Sequence, residues 1–368
     1  MNATRHLQEL GQSLWLDNIS RGLLVSGTLQ RYLRDFAITG LTSNPTIFDN
    51  AIRNTNFYDE AIHEKAVKGK SGETLFLDLA LEDLTQAADL FRPEHDATGG
   101  VDGWVSLEVS PLLANDAAGT VRQVAQLHAR AQRHNLFIKI PGTPAGVTAI
   151  EESIFAGVPI NVTLLFSREQ YLAAAGAYMR GVERRIAAGL EPRVSSVASI
   201  FVSRWDVAVK DKVPAALANQ LGIAIARRSY RAHRELLVSP RWRKLAEAGA
   251  REQRLLWAST GAKDPAAPET LYLEALAAPN TINTIPEKTL LAFADHGVVN
   301  GSMPADGGDA EKVLAAFAHA GVDEAALATQ LQREGVESFS KSWSDLMAII
   351  ASKSATLVKN QSAGPANS

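Results

Sequence analysis

The sequence predicts an α/β fold in which eight parallel strands close into a barrel, and three observations lead there. Short runs rich in β-branched and large apolar residues recur eight times along the chain. Stretches with helical apolar spacing fall between them, the mark of repeated βα units on a parallel sheet. At 368 residues the chain can form one large barrel with extensions, although length alone would also fit two ordinary domains. Eight alternating units favour a closed (β/α)8 TIM barrel over an open sheet.

The first strand candidate is SLWLDNI from Ser13 and the second is FAITGLTSNP from Phe36. Leu29, Leu33 and Phe36, spaced four and three apart, mark the core-facing stripe of a helix between them. The gap from Pro45 to Gly103 is too long for one crossover helix, so it carries extra helices, with LFLDLALEDLTQAADLF the clearest. The segment TGGVDG ahead of the third strand, WVSLEV from Trp104, reads as a plain turn. The fourth strand, LFIKIPG from Leu136, is followed by Thr143 and Pro144, an N-cap and first helical residue, and by the stripe Val147, Ile150 and Ile154. Behind the fifth, INVTLLF from Ile160, Ser167 and Gln170 fit a capping box. RVSSVASIFV from Arg193, RLLWAST from Arg254 and TINTIP from Thr281 complete the eight. Residues from Asp309 to about Lys353 read as further helices on the barrel, and 354–368, ending in NQSAGPANS, as a disordered tail. With no internal linker, residues 1–353 are expected to form a single barrel domain with extra helices between strands 2 and 3 and at the C-terminus.

Composition narrows the function. The chain is 46% hydrophobic and 21% charged, without the long apolar run of a membrane span and without a secretory leader, so the cytoplasm is the expected compartment. A formal charge of -3 lacks the basic footprint of a nucleic-acid binder. There is no cysteine, which leaves Ser, Thr, Lys or a carboxylate as a nucleophile. No HExxH, P-loop or strand–GxGxxG–helix pattern occurs, and His128 and His134, placed on one helix, read as surface or satisfied residues; neither metal nor cofactor is expected.

Barrel strands are covered by helices outside and filled by side chains inside, so polar residues in them are informative. A period of two puts Ser106 and Glu108 on one face of the third strand, against Val105, Leu107 and Val109. It puts Lys139 with Phe137 in the fourth, and Asn161 with Thr163 in the fifth, opposite Ile160, Val162 and Leu164. Asp17 and Asn44 stand near the C-terminal ends of the first two strands. If these faces point inward, Asp17, Asn44, Glu108, Lys139, Asn161 and Thr163 converge at the barrel mouth, where this fold keeps its catalytic groups. A lysine in the apolar run LFIKIP must snorkel, pair with a carboxylate, or lose its proton and become a nucleophile that forms an iminium. Asp17 and Glu108 are the carboxylates available for the accompanying proton transfers. A buried Lys139–Glu108 ion pair that only fills the barrel is the competing reading, as is a satisfied hydrogen-bonded pair for Asn161 and Thr163. Arg204 after strand 6 and Lys263 after strand 7 occupy loops that often hold phosphate, although each taken singly also suits a solvated surface charge.

The segments LTSNPTIF from Leu41, VSLEVSP from Val105, FIKIPGTPAG from Phe137, INVTLLFS from Ile160 and SIFVSRWD from Ser199 resemble the transaldolase signatures, in order and at sensible spacing, over about Ser13 to Pro286. The C-terminal part is similar to that of the longer bacterial members. The resemblance implies a class I Schiff-base barrel that exchanges dihydroxyacetone between ketose phosphates, sedoheptulose 7-phosphate and fructose 6-phosphate, and the aldose phosphates glyceraldehyde 3-phosphate and erythrose 4-phosphate, in the non-oxidative pentose phosphate pathway. It implies Lys139 as the Schiff-base lysine, Asp17 as the acid/base beside the breaking bond, and Glu108 as the acid/base acting through a water that Thr163 helps to hold. Asn44 and Asn161, with Thr42 nearby, resemble the amides that grip the dihydroxyacetone hydroxyls. Ser199 and Arg204 match the phosphate-binding residues of the strand 6 segment.

Two departures stand out. Where many members carry an arginine after strand 7, in a segment like GASFRN, this chain has STGAKDP with Lys263, which keeps the charge but not the bidentate fork. The usual Ser-Pro-Phe after strand 6 is Ser199-Ile200-Phe201, and Phe201 is placed to limit water at the intermediate. That bears on transfer against simple cleavage, so a fructose 6-phosphate aldolase activity on the same lysine is the nearest alternative. A sugar-phosphate-binding barrel without catalysis is the alternative from another class. Sugar phosphates are the expected partners, and a monomer or a homodimer fits the surface charge.

Overall fold

The computed structural model describes residues 2–362. Its eight strands are β1 (Ser13–Leu16), β2 (Ile38–Thr42), β3 (Trp104–Glu108), β4 (Leu136–Pro141), β5 (Ile160–Leu165), β6 (Ser196–Phe201), β7 (Gln253–Ala258) and β8 (Ile282–Ile285). They pair in parallel in sequence order, and β8 returns to β1, closing the barrel.

Period-two alternation decides which residues meet the helices. Leu14, Leu16, Val105, Leu107, Leu136, Ile138, Ile140, Ile160 and Val162 pack outward in one large apolar layer with the surrounding helices. Trp15, Trp104, Phe137, Val197, Leu256 and Ile282 belong to a second cluster that fills the barrel. Buried large side chains of this kind each stabilise the fold by roughly 1.5–3 kcal/mol. Trp104 stacks on Phe137 with ring centroids 4.0 Å apart, and Trp15 lies 6.1 Å from Phe137. Gly40 of β2 has no alternative here, since a Cβ would fall 2.7 Å from the Trp15 indole nitrogen and from the Trp104 carbonyl oxygen.

The helical expectations hold where caps and stripes were legible. The helix Pro144–Phe155 starts on Thr143, whose side chain accepts from the Gly146 amide, and it buries Ile150 and Ile154. Ser167 and Gln170 form the reciprocal capping box of the helix Arg168–Ala187. Between β2 and β3 lie three extra helices, Pro45–Asn54, Asp59–Val67 and Gly72–Ala97.

Four readings need correction. The segment TGGVDG is more than a turn: Asp102 is buried and accepts from the Trp15 indole at 2.7 Å and the Thr39 hydroxyl at 2.8 Å, sealing the barrel floor. Leu164 does not side with Ile160 and Val162, because the pairing of β5 with β6 slips between Val162 and Leu165 and Leu164 takes a left-handed φ of 56°. It therefore packs with Phe166, Phe201 and Phe339 instead of with the outer layer. His134 is not on the helix of His128, since the helix Ala117–Ala131 stops at Gln132, itself left-handed at φ 49°. The last helix, Glu324–Ser362, is 39 residues long, so 354–362 of the expected tail are helical; the remaining six residues lie outside the described ones. Among the described residues no helix is long and apolar enough to cross a membrane.

Candidate active site

Register brings the polar residues together above the aromatic floor. Glu108 stands opposite Lys139 across β3 and β4, and Lys139 stands opposite Asn161 across β4 and β5. Each lies on the inward parity of its strand, so the three occupy one layer of the barrel interior. Above them, at the C-terminal ends of the strands, opens a pocket of about 110 Å3. Asp17, Thr42, Asn44, Lys139, Thr163, Ser199, Phe201, Arg204 and Lys263 all line it. Glu108 and Asn161 sit directly behind this wall, bonded to residues that do line it.

Lys139 is 5% exposed, and its Nζ donates to Glu108 Oε2 at 3.0 Å and to the Ser43 carbonyl at 3.3 Å. The ion pair expected as one alternative therefore exists, and its lysine also lines the pocket. Glu108 Oε1 and Thr163 Oγ1 are both buried and have no hydrogen-bond partner among the described residues. Burial pushes the Glu108 carboxyl above the ordinary range, and the facing ammonium offsets only part of that. Desolvation likewise raises Asp17, against the pull of Lys139 and of a hydrogen bond from Thr42 Oγ1 at 2.9 Å. Thr42 has one hydroxyl proton; with it committed to Asp17, the 2.7 Å contact between Thr42 and Thr284 is donated by Thr284.

Asn161 pairs with neither Thr163 nor a backbone group. Its Nδ2 donates to Ser106 Oγ at 3.1 Å and its Oδ1 accepts from Ser199 Oγ at 2.7 Å, which fixes the amide across three strands. Asn44 caps the helix Pro45–Asn54 by accepting from the Ile47 amide at 3.0 Å, which leaves its Nδ2 for the pocket. Arg204 is half-buried, 5.2 Å from the Phe201 ring, and makes no hydrogen bond or ion pair among the described residues; burial pulls its pKa down. A guanidinium held in this way is suited to receive an anion. Lys263 is exposed at the rim of the same pocket.

The structure adds residues that the sequence did not single out. Thr284 shares the inward parity of Ile282 in β8, a signal present in TINTIP. Ser259, the residue after β7, lines the pocket with a left-handed φ of 57° and shares a 2.9 Å hydroxyl contact with Ser203; no pattern announces it. Phe339 lines the pocket from the terminal helix, which is far away in sequence. Among the described residues no cluster of His, Asp and Glu could hold a metal ion. The arrangement offers a nucleophilic amine, a carboxyl 3.0 Å from it, a second carboxyl across the pocket and a cationic rim. That set supports covalent carbonyl chemistry with proton transfer on an anionic substrate.

Comparison with known proteins finds relatives along nearly the whole chain. The family model described as Transaldolase/Fructose-6-phosphate aldolase matches residues 14–350. A transaldolase of Arthrobacter sp. (strain FB24) is 42% identical over 353 residues, covering 94% of this chain and 95% of the relative. One from Parafrankia sp. (strain EAN1pec) is 43% identical over 350 residues, 93% and 95% of the two chains. One from Neisseria gonorrhoeae (strain ATCC 700825 / FA 1090) is 40% identical over 349 residues, 95% and 99% of the two.

Proposed function

Since the chain belongs to the transaldolase/fructose-6-phosphate aldolase family and its activity is that of a transaldolase, we propose that it works through a Schiff base on Lys139. The unit transferred is dihydroxyacetone, moved from sedoheptulose 7-phosphate to glyceraldehyde 3-phosphate to give erythrose 4-phosphate and fructose 6-phosphate, in the cytoplasmic non-oxidative pentose phosphate pathway. The observation that carries this reading is the buried Lys139–Glu108 contact of 3.0 Å opening into a pocket that Asp17 also lines.

Each residue has a task in that sequence. Glu108 takes a proton from Lys139, and the free amine attacks the ketose carbonyl to form a carbinolamine. Loss of water gives the iminium; Glu108 Oε1 and Thr163 Oγ1, both with hydrogen-bonding capacity to spare, hold the water involved. Asp17, oriented by Thr42, removes the proton of the hydroxyl beside the breaking carbon–carbon bond. The bonding electrons pass to the iminium, leaving an enamine that attacks the acceptor aldehyde. Asn44 holds the dihydroxyacetone hydroxyls from the pocket wall and Asn161 acts from behind that wall by fixing Ser199, while Arg204 and Lys263 hold the phosphate and Phe201 forms an apolar wall.

Incubation with fructose 6-phosphate and borohydride tests this directly. A reduced adduct located on Lys139 by mass spectrometry, and lost in Lys139→Ala, is the expected result. Binding of the sugar phosphate without any adduct would sink the Schiff base. Release of free dihydroxyacetone at the same rate with and without erythrose 4-phosphate would replace transfer by cleavage.

A further inference from the structure

The terminal helix Glu324–Ser362 is fastened over the barrel mouth at both ends of its contact. Gln332 Nε2 donates to the Gly142 carbonyl at 2.9 Å and the Leu164 carbonyl at 3.0 Å, at the ends of the strands that carry Lys139 and Thr163. Gly335 lets the backbone come close, because a Cβ there would lie 2.8 Å from Leu164 Cδ2 and 3.2 Å from Arg204 Nη1. Farther along, Lys353 Nζ donates to the Thr55 carbonyl at 2.7 Å and pairs with Asp59 at 2.6 Å. Between these fixings the helix lowers Phe339 into the pocket. The side chain is 5% exposed, and its ring centre lies 5.6 Å from Lys139 Nζ and 5.8 Å from Arg204 Cζ. One aromatic ring thus lies within cation–π reach of both cations.

We propose that Phe339 is a positioning residue of the transfer reaction, the roof that keeps bulk water from the enamine on Lys139 and commits the three-carbon unit to the acceptor aldehyde. This rests on the Schiff-base reading above. The enamine has two fates. In transfer, its nucleophilic carbon bonds to the aldehyde carbon, whose oxygen takes a proton, and hydrolysis of the resulting iminium frees the lysine. In release, the same carbon takes a proton from solvent, water adds to the iminium carbon, and the carbon–nitrogen bond of the carbinolamine breaks to give dihydroxyacetone and the free amine. Only the second fate needs solvent to deliver a proton to carbon, so an apolar roof selects against it.

The test compares wild type, Phe339→Ala and Phe339→Leu for dihydroxyacetone released from fructose 6-phosphate without acceptor, against transfer to erythrose 4-phosphate. In deuterated water, released dihydroxyacetone carrying carbon-bound deuterium reports solvent protonation of the enamine. Phe339→Ala is expected to raise release relative to transfer by about tenfold or more, roughly 1.4 kcal/mol per decade, with the deuterium label rising in parallel. Phe339→Leu, which keeps an apolar roof and protects against loss of fold, is expected to restore most of the wild-type ratio. Borohydride trapping in the same samples separates the two hypotheses. Adducts on Lys139 in all three proteins with an unchanged ratio, or equal loss of both reactions, would overturn the role of Phe339 alone. Absence of the adduct in wild type would overturn the Schiff base and this role with it.

Discussion

The two ends of the barrel hold buried charges in opposite ways. At the floor, Arg254 is buried and donates to the Val101 carbonyl at 3.0 Å, Ser13 Oγ at 2.7 Å and the Thr281 carbonyl at 3.1 Å, while Asp102 accepts from Trp15 and Thr39. At the mouth, among the described residues, Glu108 Oε1 and Thr163 Oγ1 are buried with no hydrogen-bond partner, and Arg204 makes only ring contacts, with no hydrogen bond or ion pair. A saturated charge can do little except hold structure, whereas an unsaturated one keeps capacity for a ligand or a proton. The contrast teaches that burial by itself does not mark a site. Spare hydrogen-bonding capacity at the open end does.

The largest effect expected from breaking this contrast is at the mouth. Asp17→Asn should lower kcat by about 10²–10⁴-fold, the usual contribution of a general acid or base, with little change in the unfolding midpoint. Because desolvation raises the Asp17 carboxyl above its ordinary value, activity that depends on its ionised form should rise with pH across a limb displaced upward. The variant should lose that limb in its pH–rate profile. At the floor the converse should hold: Asp102→Ala strands the Trp15 and Thr39 donors and should cost about 2–4 kcal/mol in urea unfolding, with kcat per folded molecule within about twofold of wild type. A kcat loss at Asp102 comparable to that at Asp17 would show that the two ends are coupled.

The same distinction explains what could be read from the sequence. Glu108, Lys139, Asn161 and Thr163 were legible because strand alternation is local and an inward polar residue breaks an apolar pattern. Thr143 and Ser167 were legible because capping is a short-range hydrogen-bond exchange. Asp102 was not, since a turn's composition says nothing about which indole lies above it. Leu164 was missed because a bulge with a left-handed residue cancels the period on which the reading rested. Phe339 was out of reach altogether: its helix has an ordinary amphipathic pattern, and only the docking of Gln332 and Gly335 on β4 and β5 brings it to the lysine.

Asp206 offers a case between the two ends, for it is saturated like the floor yet desolvated like the mouth. It accepts from the Tyr272 hydroxyl at 2.8 Å and the Leu221 amide at 2.9 Å, and burial pushes its carboxyl up to about 6. A raised carboxyl contributes stability that is complete below its unfolded value near 3.8 and is lost as pH rises through about 6. The term is on the order of 2–3 kcal/mol. Asp206→Asn should therefore flatten the fall in stability between about pH 4 and pH 6 in a series of denaturation midpoints. An unchanged slope would mean that hydrogen bonding to the ionised form outweighs desolvation there.

The smallest expected effect separates the two cations of the rim. Arg204 is half-buried under Phe201 and Phe339, while Lys263 is exposed, so water screens whatever phosphate contact Lys263 makes. Lys263→Ala should raise KM for a sugar phosphate by about three- to tenfold, roughly 1 kcal/mol, with kcat nearly unchanged. Lys263→Arg should recover or exceed wild-type affinity, because the guanidinium supplies the bidentate geometry that the ammonium lacks. Arg204→Ala should cost more than Lys263→Ala in kcat/KM and should respond less to added salt, since its charge lies closer to the apolar wall and farther from counterions. Equal losses and equal salt dependence for the two would show that depth in the pocket does not rank the phosphate contacts, and the difference drawn between spare capacity that is buried and charge that is merely exposed would fail at the site where it should be easiest to see.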